Sequence, residues 1–199
     1  MSKRVLGCDL DGVVFQFNKS YCDLFRQKFD IQFPSETSLY PYKWDYESEL
    51  ATKEQIDEVW KDIRGPQNYN FWRNLPVYEG APEFLKLAHE QFDAVHYITA
   101  RSGPRAKEAT EDALRAIGVK NPHVVVANYK VPHLIALGCT DFLDDRDKNF
   151  EDVLYAEVFE GYGLHKMPHL WMLDRPWNRL FIHPQVTRIV NPTEMLLES

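Results

Sequence analysis

Apolar and polar positions fall in blocks along the chain, and the period of each block predicts an element. Residues Val5 to Cys8 form an unbroken apolar run that ends at Asp9-Leu10-Asp11-Gly12, the pattern of a buried strand stopping at a polar turn. From about Asn18 to Phe29, Tyr21, Leu24, Phe25 and Phe29 recur at helical spacing. Residues 30 to 50 are rich in Pro, Ser and Tyr and are read as irregular. A second helix is predicted from about Lys53 to Ile63, with Thr52 as N-cap and Ile56, Val59, Trp60 and Ile63 on one face. Gly65-Pro66 then breaks the chain.

From Glu79 onward the blocks alternate regularly. Helices are predicted at about 81–91 (Pro82 in the first turn), 104–117 (stopping at Gly118), 132–137 (closed by Gly138) and 149–159. Strands are predicted at 94–98, 123–127, 140–143 and 169–173, with weaker ones near 179–182 and 186–190. A helical turn at Thr193–Leu197, capped by Asn191, closes the sequence. Strands alternating with helices imply right-handed βαβ units and an α/β fold with a parallel sheet flanked by helices. Residues 15–78 interrupt the alternation, so 1–14 with 79–199 are read as the core and 15–78 as a small helical cap inserted after the first strand.

Bulk properties narrow the setting. A chain of 199 residues, 44% hydrophobic and 27% charged, has the makeup of an ordinary globular protein that folds without a stapling metal or disulfide. No apolar run approaches the ~20 residues of a membrane span, so no membrane partner is expected. Met-Ser-Lys-Arg runs straight into the first strand, and Cys8, Cys22 and Cys139 are odd in number without C-x-x-C spacing, which points to reduced thiols and a cytoplasmic location. A net charge of −7 with interleaved signs argues against extended nucleic acid as partner. An acidic protein acting on phosphate must supply positive charge locally, and a bound cation is one way to do so.

Four strands end in polar groups suited to phosphate chemistry: Asp9-Leu10-Asp11-Gly12 after the first, Thr99 after the second, Lys130 shortly after the third, and Asp144-Asp145 after the fourth. In an open parallel sheet these ends share one edge, where ligands bind. Asp9 and Asp11, two apart, address one face. Asp9 suits a nucleophile that forms an aspartyl-phosphate, and Asp11 a general acid and base. Thr99 and Lys130 suit the non-bridging phosphate oxygens. Asp9, Asp11 through its carbonyl, Asp144 and Asp145 suit a hard oxygen site for Mg2+.

In their order, DLDGV at 9–13, Thr99, Lys130 and the pair Asp144-Asp145 resemble the four motifs of the haloacid dehalogenase (HAD) superfamily of phosphatases. The resemblance spans about residues 4–175 and implies a Rossmann-like core with the cap placed after the first strand. A narrower similarity to the 5′(3′)-deoxyribonucleotidases rests on Phe17, Phe71-Trp72, Pro76–Ala81, Asp144-Asp145-Arg146 and Asp174–Asn178. It implies a nucleoside monophosphate as substrate, with Phe17 beside the base; Phe71, Trp72, Thr99, Ala100, Arg101 and Lys130 are the other expected substrate contacts, Arg101 alternatively pairing with a nearby carboxylate. Ala100-Arg101 departs from that branch, which carries a phosphate-contacting hydroxyl residue there. Sugar phosphates or another small phosphometabolite are the alternative substrates. A catalytically silent nucleotide-binding module is the alternative from another class, and a homodimer is left open.

Other residues carry plainer readings. Arg146, His165 and His169 are taken as structural, Cys8 as core, and Asp174–Asn178 as a turn that orders the loop beside the site.

Overall fold

The computed structural model describes residues 3–34, 47–156 and 166–197. The chain opens with β1 (Val5–Cys8), followed by four helices: α1 (Phe17–Phe29), α2 (Glu47–Leu50), α3 (Lys53–Arg64) and α4 (Asn68–Arg73). Helix α5 (Ala81–Gln91) then leads into β2 (Ala94–Thr99), α6 (Ala106–Ala116), β3 (His123–Val126), α7 (Val131–Ala136) and β4 (Asp141–Asp144). After α8 (Asp147–Leu154) come β5 (His169–Leu173), a 3-10 turn at Pro176–Asn178, β6 (Val186–Ile189) and a second 3-10 segment at Pro192–Leu196.

The six strands form one sheet in the order β3-β2-β1-β4-β5-β6, with every neighbouring pair parallel. The chain winds outward from β1 to β3, then crosses back to lay β4 on the other flank of β1. That reversal makes the carboxyl end of β1 a topological switch point, where open α/β sheets hold their ligands.

Strand periodicity divides the interior into two layers. Leu6, Cys8, Tyr97, Leu143 and Trp171 face one side, packing with α5, α6 and the helices inserted after β1. Val5, Ile98, Phe142, Leu170 and Met172 face the other, packing with Val131, Leu134, Phe150 and Val153 from α7 and α8. Cys8 lies in the first layer, fully buried, where burial drives its thiol pKa far up.

Local signals explain several boundaries. Thr52 caps α3 through a reciprocal box: its hydroxyl accepts from the Gln55 amide while the Gln55 side chain accepts from the Thr52 amide. Asn191 caps the closing 3-10 segment in the same way with Glu194.

Three expectations are corrected, and one helix is added. No strand forms at 179–182, because Leu180 and Ile182 are 77% and 89% exposed and the Asn178 and Phe181 carbonyls accept from Arg188. The helix predicted for 149–159 begins at Asp147 and ends at Leu154. A short helix, α2, stands at the end of the stretch read as irregular. Helix α4 carries no strong helical pattern, and tertiary bonds hold it: Asn68 Nδ2 and Trp72 Nε1 both donate to the Ser102 carbonyl, at 3.2 and 2.9 Å. His165 lies outside the described residues. His169 opens β5, bonded through Nε2 to Thr187 Oγ1 at 3.0 Å and packed on Trp171.

Candidate active site

Asp9 follows the last residue of β1, and its amide donates to the Leu143 carbonyl of β4 at 2.9 Å, which continues the ladder by one bond. The chain then turns at Gly12, whose φ of 86° lies in the left-handed region. A Cβ added at Gly12 would overlap the Asp145 carboxylate, so glycine lets the two loops touch.

Lys130, the N-cap residue of α7, reaches under the sheet edge. Its Nζ donates to Asp9 Oδ1 at 2.6 Å and to Asp144 Oδ2 at 2.7 Å, with all three side chains buried. Asp144 is held further by the amides of Asp145 and Arg146, each at 2.8 Å, and by Asn149 Nδ2 from the first turns of α8. Asp145 accepts from Trp177 Nε1 at 2.8 Å through Oδ2, while its buried Oδ1 has no hydrogen-bond partner among the described residues.

Concentrating carboxylates away from water raises their proton affinity. Burial pushes the Asp9 carboxyl up to about 7, with Lys130 pulling it down and Asp144 and Asp11 adding to the rise. Burial, then Asp144 and Asp9, carries Asp145 well above the ordinary carboxyl range. Burial alone would lower the Lys130 ammonium, but attraction to Asp144 and Asp9 outweighs it and holds the pKa above its usual value.

Asp9, Asp144 and Asp145 each offer an oxygen, all within 4.8 Å of one another. Three carboxylates against one ammonium leave an excess negative charge of two. All donors are hard oxygens, and one of them, Asp145 Oδ1, is buried without a partner among the described residues. This set fits a small divalent cation such as Mg2+. The Asp11 carboxylate stands apart from the cluster. Arg101 holds it in a fork, through Nε at 3.0 Å and Nη2 at 2.8 Å.

A cavity of about 530 Å³ opens above these groups. Of the residues singled out in the sequence, Asp9, Asp11, Phe17, Trp72, Thr99, Ala100, Arg101, Lys130, Asp145 and Arg146, which was taken as structural, line it. Asp144 lies beneath, fully buried. Phe71 is not among the lining residues and packs edge-on against Phe17 and Trp72. Arg101 reaches the wall, but its guanidinium is committed to Asp11, the Trp72 carbonyl and Thr110 Oγ1, with Phe15 and Trp72 rings beside it. Phe17 stacks on Tyr21, Trp60 and Trp72 at centroid distances of 5.6, 6.0 and 5.6 Å, so it is core as much as wall.

Sequence reasoning passed over several residues here. Trp60 and Arg64 of α3 line the cavity, with the Arg64 guanidinium 4.4 Å above the Trp60 ring. Ser102, Asn128 and Asn149 also line it. Asn149 carried a faint signal, a polar residue five positions after Asp144 on the helix that follows. The pairing of Trp177 with Asp145 carried none, since an indole reads as core.

No protein-family model and no curated protein sequence matches the chain. Solved structures do. A haloacid dehalogenase-like hydrolase from Streptococcus pneumoniae aligns with a TM-score of 0.60 at 9% identity, covering 98% of each chain. A Lactobacillus plantarum protein, provisionally assigned as a phosphoglycolate phosphatase, aligns at 0.58 with 13% identity over 99% of each. A HAD family hydrolase from Deinococcus radiodurans, solved with phosphate and sodium bound, aligns at 0.54 with 13% identity over 97% of this chain and 93% of that one. The six-stranded parallel sheet with its flanking helices is therefore the Rossmann-like α/β fold of the HAD hydrolases.

Proposed function

We propose that this chain is a Mg2+-dependent phosphomonoester hydrolase of the HAD type, acting on nucleoside monophosphates, with deoxyribonucleotides as the first candidates. The observation that carries the reading is the meeting of Asp9, Lys130 and the Asp144-Asp145 pair at one pocket, although the three come from separate parts of the sequence. Asp9, Asp144 and Asp145 would hold the cation, which supplies positive charge against the phosphate dianion.

An oxygen of Asp9 attacks phosphorus, and the P–O bond to the leaving alcohol breaks. Asp11, oriented by Arg101, gives that oxygen a proton and later takes one from the water that attacks the aspartyl-phosphate. The second displacement releases inorganic phosphate and restores Asp9. Lys130, pinned by two carboxylates, keeps a fixed positive charge at the nucleophile without reorganising during the reaction. Thr99, fully buried at the end of β2, adds a hydroxyl at the cavity wall.

One observation favours a second reading. Phe17 stacks on three rings and meets Phe71 edge-on, which leaves little of its face for a base. A substrate without a base, a sugar phosphate or another small phosphometabolite, suits a cavity whose aromatic wall is already packed.

The test is phosphate release from a panel of nucleoside monophosphates and sugar phosphates with Mg2+. Activity lost in Asp9→Asn supports the aspartyl mechanism, and equal activity in that variant overturns it. Preference for sugar phosphates over every nucleotide selects the second reading.

A further inference from the structure

The segment after β5 is tied to the candidate cation site more closely than a closing turn requires. Trp177 Nε1 donates to Asp145 Oδ2 at 2.8 Å, with both residues buried. Asn178 Nδ2 donates to the Asp145 carbonyl at 2.7 Å and to the Leu173 carbonyl at 2.8 Å. Asp145 is therefore gripped at its side chain and at its main chain. Arg188 Nη1 donates to Asn178 Oδ1 at 2.6 Å, which turns the amide nitrogen of Asn178 toward Asp145. Across the cleft, Arg175 Nε donates to the Gly12 carbonyl at 2.7 Å, with its guanidinium 4.2 Å over the Tyr78 ring. One short segment thus fixes both loops that meet at the pocket, the one after β1 and the one after β4.

From this geometry we propose that Trp177, with Asn178 and Arg175, is a positioning clamp that aims Asp145 at the divalent cation. The inference rests on the cation reading above. A carboxylate can rotate about χ2 and present either oxygen to any neighbour. Here the indole takes Oδ2 and the absence of a side chain at Gly12 leaves room for the group, so Oδ1 of this cavity-lining residue is left buried with no donor among the described residues. Outer partners of this kind set the orientation of a metal-binding group, and their loss typically lowers metal affinity about 10–100-fold.

The structure supplies a matched control. Trp171 Nε1 donates to Asp141 Oδ1 at 3.1 Å, another buried indole–carboxylate bond, at the opposite end of β4. Calorimetric titration of Mg2+ into metal-free wild type, Trp177→Phe and Trp171→Phe separates positioning from general loosening. Trp177→Phe should bind about 10–100-fold more weakly, with a smaller Mg2+-induced rise in Tm, while Trp171→Phe matches wild type. Equal affinity in Trp177→Phe and wild type overturns the clamp, as does equal weakening in both variants. Wild type that binds no Mg2+ overturns the cation reading itself. Should Trp177→Phe not fold, Arg175→Met leaves the buried indole in place and carries the same test: weaker Mg2+ binding supports the clamp, and unchanged binding overturns it.

Discussion

On one wall of the cavity, Lys130 reaches two buried carboxylates at 2.6 and 2.7 Å, and each loop around it is bonded to another. On the aromatic wall, Phe17 meets Trp60 and Trp72 through ring faces at 6.0 and 5.6 Å, and the hydrogen bond of the Trp72 indole to the Ser102 carbonyl lies outside those ring contacts. The first wall is a network in which each charge is defined by its partners, so that removing one strands another in a low dielectric. The second is hydrophobic core that happens to border a cavity, where shape counts and individual contacts are exchangeable. Chemistry is therefore specified on the polar side far more tightly than substrate is on the aromatic side.

That contrast is open to measurement. Asp9→Asn should lower phosphate release by at least about 10⁴-fold, as nucleophile removal does, while leaving the fold intact. Lys130→Met should cost about 3–5 kcal/mol in urea unfolding, since Asp9 and Asp144 then face each other without a cation. Adding Asp9→Asn to it should recover part of the loss. If Lys130→Met unfolds like wild type, the two walls do not differ as described. On the aromatic side, Phe17→Ala should cost a similar ~3–5 kcal/mol by emptying a buried site. Trp60→Ala, half-buried, should act mainly on substrate, raising KM about tenfold for a nucleotide whose base stacks there. An unchanged KM in that variant would assign the wall to packing alone.

The polar wall also carries a pH dependence. Asp9 titrates near 7 when folded without metal and near 3.8 when unfolded. Its charge therefore burdens the folded state above pH 7, and the burden fades as pH falls toward 4. The stability gap favouring metal-free Asp9→Asn over wild type should widen between pH 4 and 7 and stay level above, read from urea midpoints. Saturating Mg2+ should close it for wild type.

The polar wall was legible because its residues announce themselves locally: Asp9 ends an apolar run, and Asp144-Asp145 end another. Their order along the chain differs from the strand order across the sheet, but all the strands are parallel and so end at one edge. Thr52 was legible for the same reason, its capping partner Gln55 being three residues away. What stayed hidden depends on contacts distant in sequence. Helix α4 exists because Asn68 and Trp72 bond to Ser102, thirty or more positions on. Arg101 was open between a substrate contact and a carboxylate partner, and the carboxylate that it holds, Asp11, lies 90 positions away. The run at 179–182 has a strand's composition, yet Arg188 takes the carbonyls that a neighbouring strand would need.

The central place of β1 has a consequence for how the chain comes together. Its first residues pair with Ala94 on one flank and Asp141 on the other, so its second edge stays uncovered until β4, more than 130 positions later, is in place. Ordering it means closing two long loops before either gives a return, which makes assembly slow for a chain of this length. Until β4 emerges from the ribosome, a bare apolar edge stays open to other chains. Fragments that end before residue 141 should accordingly aggregate rather than fold.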